Sequence, residues 1–136
     1  MIGFLLKQTF DNSILPYIES NKECCVFSMG SPTSNFKKPF LQALRVYDFD
    51  KTIVATDITT AMMACDLILP KKKYFYITDL EWMGHKPLIY QELRDIYLNE
   101  ELDLIVSNET NYRIIKNLFK EPKFIVKNWD FSEIEK

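Results

Sequence analysis

Short apolar runs alternate along this chain with longer stretches whose apolar positions recur every third or fourth residue. Residues 2–6 (Ile-Gly-Phe-Leu-Leu), 24–29 (Cys-Cys-Val-Phe-Ser-Met), 52–56 (Thr-Ile-Val-Ala-Thr), 74–78 (Tyr-Phe-Tyr-Ile-Thr), 102–106 and 124–126 read as strands. Those at 52–56 and 102–106 are apolar without alternation, as strands covered on both faces should be. Between them the period changes. Residues 11–21 predict a short helix carrying Ile14, Leu15 and Ile18, with Pro16 tolerated in its first turn. Residues 57–69 predict a helix capped by Asp57, with Ala61, Met62, Ala64, Cys65 and Ile68 facing inward and Pro70 ending it. Residues 87–99 predict a third helix through Leu88, Ile89, Leu93, Ile96 and Tyr97. Asn108 caps a fourth that reaches Phe119 through Tyr112 and Ile115. Residues 30–39 are a loop by composition, and residues 41–47 fit either a strand or a short helix.

Strand and helix in alternation imply crossover connections and hence parallel pairing. The expectation is one Rossmann-like α/β domain over residues 1–136, with a mostly parallel sheet of about six strands and helices on both faces. No repeat or linker divides the chain.

Composition narrows the partners. A formal net charge of −2 provides no drive toward nucleic acid or an anionic membrane. The run Lys71-Lys72-Lys73 reads as a solvated strand entry. The three cysteines Cys24, Cys25 and Cys65 and the single His85 match no zinc spacing, so reduced thiols and no metal or other cofactor are expected. The opening Met-Ile-Gly-Phe-Leu-Leu is too short for a signal or membrane segment, which predicts a cytoplasmic protein.

In an open parallel sheet, ligands bind beyond the carboxyl ends of the strands. Polar residues follow the predicted strands at that rim: Ser28 to Ser34, Thr56-Asp57 with Thr59 and Thr60, Thr78-Asp79 with Glu81 and Trp82, Ser107-Asn108, and Lys127-Asn128. Asp57 and Asn108 also suit helix caps. Asp79, Glu81 and Trp82 together offer carboxylates beside an indole, as sugar or nucleotide recognition uses. His85 is the one side chain with an ordinary pKa near neutrality. G-x-G-x-x-G, Walker and G-x-S-x-G motifs are absent from the sequence, which removes the main support for dinucleotide, P-loop and serine-hydrolase readings.

Two resemblances remain. Asp48-Phe49-Asp50-Lys51-Thr52 resembles the first motif of haloacid-dehalogenase-type phosphatases. That likeness implies a magnesium-dependent phosphatase with Asp48 as nucleophile, Asp50 as acid/base and Thr78 as the second-motif hydroxyl. The alternative for the same residues is a polar turn before the strand at 52–56.

Over most of the chain, residues 52–61, 73–82, 102–108 and 124–128 resemble the N-terminal, acceptor-side half of GT-B glycosyltransferases. The likeness is closest to short glycosyltransferase-like proteins of large tailed phages. It implies a sugar or nucleotide-sugar ligand, Asp57, Asp79 and Glu81 as cleft acids with one of them a base, Trp82 as a stacking platform, and the host-cell cytoplasm as location. Thr78, His85 and Asn108 would complete the substrate-binding set. A full GT-B enzyme has two such domains, so a separate donor-binding half or a homo-oligomer is the implied partner. A non-catalytic Rossmann-like binding module is the remaining expectation.

Overall fold

The computed structural model describes residues 1–7, 15–28, 36–78, 80 and 90–134. Seven strands form one sheet: β1 (Ile2–Leu6), β2 (Cys24–Ser28), β3 (Phe40–Gln42), β4 (Thr52–Ala55), β5 (Lys72–Ile77), β6 (Leu102–Val106) and β7 (Phe124–Ile125). Their spatial order is β3-β2-β1-β4-β5-β6-β7, and each neighbouring pair is parallel. The strand beyond the expected six comes from residues 41–47, which are divided between the two readings. Phe40–Gln42 pairs with β2, and Ala43–Asp48 turns into a 3-10 helix.

Parallel strands need crossovers, and right-handed ones send connections to opposite faces when the direction of travel reverses. Helices α2 (Ile58–Cys65), α3 (Tyr90–Tyr97) and α4 (Glu109–Leu118) accordingly share one face. There Ala61, Ala64, Leu93, Ile96, Tyr97 and Ile115 pack with Leu5, Phe27, Ile53, Phe75 and Leu104. The buried side of the 3-10 helix, through Val46, joins them. Helix α1 (Leu15–Glu19) lies on the other face through Ile18, against Phe4, Val26, Val54 and Tyr76.

Among the described residues that second face carries only the short helix α1. An irregular C-terminal segment covers much of the rest. Consecutive left-handed residues Asn128 (φ 54°) and Trp129 (φ 60°) reverse the chain after β7. Trp129 and Phe131 then lie on Phe4 and Tyr76 in edge-to-face and tilted contacts 4.8–6.3 Å between ring centres. Asn21 clamps the segment: its amide donates to the Trp129 carbonyl (3.0 Å), and its oxygen accepts from the Phe131 N–H (3.1 Å). The Tyr76 hydroxyl donates to the Val126 carbonyl. Burial pushes that phenol's pKa up, opposed by the Trp129 backbone.

Three expectations are corrected. α2 ends at Cys65 rather than Leu69, because Lys73 Nζ donates to the carbonyls of Leu67 (2.9 Å) and Cys65 (3.5 Å) and satisfies the chain where it leaves the helix. Ile68 is therefore 94% exposed rather than inward, and Met62 is exposed as well. Lys73 is no solvated strand entry but 5% exposed, and it also reaches Glu101 (3.3 Å). Only Lys71 and Lys72 of the run are exposed.

All three cysteines are free thiols. Burial, with Cys24 alongside, raises Cys25 from 9.0 to about 11. The neutral thiol is thus favoured in the folded state. Its contribution is intact below the unfolded pKa and is lost as pH climbs from about 9 toward 11. Over that window this one group should weaken the folding constant by about tenfold per pH unit. Urea unfolding of wild type and Cys25→Ala at pH values across the window checks this. The variant should start less stable and fall less steeply; parallel declines would refute the assignment.

Candidate functional site

The strand order places a topological switch between β1 and β4, because the chain leaves β1 toward β2 on one side and leaves β4 toward β5 on the other. All carboxyl ends share one rim. At the switch, Lys7 follows β1 and is exposed, while Thr56 and Asp57 follow β4. The Thr56 hydroxyl donates to the Leu5 carbonyl (2.6 Å), bridging the two strands where the crevice opens.

Asp57 is held firmly. Its Oδ1 accepts from the Thr60 N–H (2.7 Å), and Thr60 Oγ1 accepts from the N–H groups of Asp57 (3.1 Å) and Thr56 (3.0 Å). This reciprocal capping box seats the carboxylate at the mouth of α2. Asn108 caps α4 without the reciprocal bond: its Oδ1 accepts from the Asn111 N–H (2.8 Å), and its amide donates to Ser107 Oγ (3.4 Å). Thr78, exposed, follows β5 between them. Two strand spacings separate the caps across the rim, roughly 10 Å.

The structure thus brings Asp57, Thr78 and Asn108 to one edge. Asp79, Glu81, Trp82 and His85 lie outside the described residues. The phosphatase pair does not reach this edge. Asp48 ends the 3-10 helix and Asp50 precedes β4, where its carbonyl accepts from the Lys71 N–H (3.3 Å). Both belong to the amino end of β4, about 13 Å of strand away from the rim. Asp48-Phe49-Asp50 is the polar turn, and Asp48 and Thr78 cannot act on one phosphate.

Two features escaped the sequence reading. Lys7 is the first polar residue beyond β1, but nothing short of the strand order shows that it stands at the switch. A groove of about 540 Å³ lies at the far end of the rim, lined by Glu109, Phe124, Ile125, Val126, Lys127, Asp130 and Glu133. Lys127 was visible as a strand-end residue; Asp130 and Glu133 are brought there by the C-terminal reversal.

Lys120 is half-buried, with its pKa lowered by desolvation, and donates to the carbonyls of Asn99 (2.7 Å) and Leu102 (2.6 Å). It secures the turn into β6, far from the rim. Among the described residues no group of three or more His, Cys, Asp or Glu side chains stands close enough to hold a metal, and no helix is long and apolar enough to cross a membrane. Comparison with known proteins yields no match to a family model, a curated protein or a solved structure.

Proposed function

We propose that this domain binds a sugar or nucleotide sugar at the carboxyl rim of its sheet and acts as the acceptor-side half of a sugar-transfer assembly, with the donor-binding half on another chain. The reading rests on the resemblance of residues 52–61, 73–82, 102–108 and 124–128 to GT-B acceptor halves. The observation that supports it best is the reversal of strand order between β1 and β4, with Lys7, Thr56 and Asp57 at its mouth. Asp57 Oδ1 is committed to its cap, so Oδ2 is the atom to accept a proton from an acceptor hydroxyl. Thr78 and Asn108 supply hydroxyl and amide partners along the rim. Asp79, Glu81, Trp82 and His85 complete the proposed set.

Asparagine caps a helix as well as aspartate does. Asp57→Asn therefore separates the two roles of this residue. The variant should melt close to wild type, and its affinity for a nucleotide sugar or free glycoside should fall at least tenfold. Titration calorimetry against panels of both ligand classes is the measurement. If no member binds the wild type, the sugar-transfer reading fails. The non-catalytic module then stands, supported by the fact that Asp57 and Asn108 are already engaged as caps.

A further inference from the structure

A 3-10 helix has three residues per turn, so side chains at i and i+3 eclipse and the element is a three-sided prism. In Ala43–Asp48 those sides are sharply different. Ala43 and Val46 face the sheet and are 9% and 0% exposed. Leu44 and Tyr47 form a second ridge, 75% and 48% exposed. Arg45 and Asp48 form the third, and both are exposed. Neither makes an ion pair among the described residues. Leu41, 37% exposed, extends the apolar ridge: it pairs with Phe27, so its side chain lies on the sheet face that this helix covers.

We infer that this ridge is the contact surface between two copies of the chain related by a two-fold axis. A two-fold axis perpendicular to the helix sets it antiparallel to its twin. Leu44 then meets the partner's Tyr47, Arg45 meets the partner's Asp48, and the same pairs recur on the other side of the axis. An axis along the helix would set the twins parallel and carry the two Arg45–Asp48 ridges to opposite sides of the contact, where they form no ion pairs. The charges thus select a second copy in one orientation.

Two other exposed surfaces among the described residues lack this property. Ile68 and Leu69, 94% and 54% exposed, are flanked by the exposed Lys71 and Lys72, so a two-fold copy would bring lysine to lysine. Strand addition at the edge of β3 is blunted by its three-residue length and by Lys37, Lys38 and Pro39 before it. A contact through one short helix is small, and complexes at that end of the size range are transient and of micromolar affinity.

Sedimentation velocity from low micromolar to near-millimolar protein is the test. The weight-average mass should climb from 16.1 kDa toward twice that value, less readily at high salt. Leu44→Glu should hold the protein monomeric throughout. Arg45→Asp and Asp48→Arg alone each set like charges together and should weaken association at least tenfold. Combined in one chain they restore opposite charges and should recover most of the loss. All these positions are exposed, and circular dichroism confirms that each variant is folded. A wild type that stays at 16.1 kDa at every concentration overturns the inference, as does a double swap no better than the single ones.

Discussion

Phe131→Ala is expected to destabilise the protein by about 3–5 kcal/mol, the cost of truncating a fully buried phenylalanine where the surroundings cannot collapse. Phe131 is 0% exposed and sits at the centre of an aromatic group. Its ring centre lies 5.2 Å from Phe4, 5.0 Å from Tyr76 and 6.4 Å from Trp129. It also helps to hold the C-terminal segment, since its N–H donates to Asn21 Oδ1 beside the bond from Asn21 to the Trp129 carbonyl. Alanine keeps that backbone bond but leaves a void over β1 and β5. Domains of this size have about 5–15 kcal/mol in all, so the loss is a large share of the total. Denaturant unfolding reads it directly. A loss below about 1 kcal/mol, the common value for a point substitution, would mean that this segment is peripheral and that α1 alone closes the face. Because the ring packs on Phe4, Tyr76 and Trp129, ligand affinity per folded molecule should not change.

This covering was the part of the fold least legible in the sequence. Periodicity reads local elements well, and the strands, the crossovers and the caps at Asp57 and Asn108 all follow from it. It has nothing to read in Lys127 to Ile134, where Trp129, Phe131 and Ile134 follow no helical or strand period. Their burial is decided by contacts more than a hundred residues away in sequence, such as those of Asn21. The end of α2 was missed for a related reason. The apolar pattern runs on through Ile68, while the chain leaves the helix at Cys65, where Lys73, a strand residue, donates to the carbonyls of Cys65 and Leu67.

The candidate site divides along the same line. Polar residues at strand ends were visible, and a parallel sheet necessarily gathers them at one rim. Which strands flank the switch is a matter of spatial order. Lys7 acquires its meaning only because β1 lies between β2 and β4. Asp48 and Asp50 illustrate the converse. A five-residue motif match contains no information about which end of the strand it occupies, and the amino end of β4 deprives it of the helix N-termini and the neighbouring strand ends that phosphoryl chemistry would require. Asp57 and Asn108 are the ambiguous pair, since the side chains that cap helices are the ones that would bind hydroxyls.

Gly3 is the position where a small addition should do the most harm. It has ordinary negative-φ backbone, so glycine is not there for a turn. The reason is space. A Cβ at Gly3 would lie 2.8 Å from Phe27 Cε2 and 3.1 Å from both Ile53 Cδ1 and Phe49 Cε1. The gap lets Phe27 and Phe49 meet edge to face across β1, 5.2 Å apart at 70°. All three obstacles are outer atoms of side chains, so a single methyl can be met by a small ring shift. Gly3→Ala should cost about 1 kcal/mol, the lower end for an overfilled core, while the branched side chain of Gly3→Val should cost about 3 kcal/mol. Shortening Phe27 to leucine should recover part of the valine penalty, a coupling of about 0.5–3 kcal/mol in a double-mutant cycle. Strict additivity would place the strain elsewhere. A glycine kept for close approach of a ligand would show its cost in binding. Gly3 lies toward the amino end of β1, opposite the rim, so its variants should lose stability and leave the affinity of the folded protein unchanged.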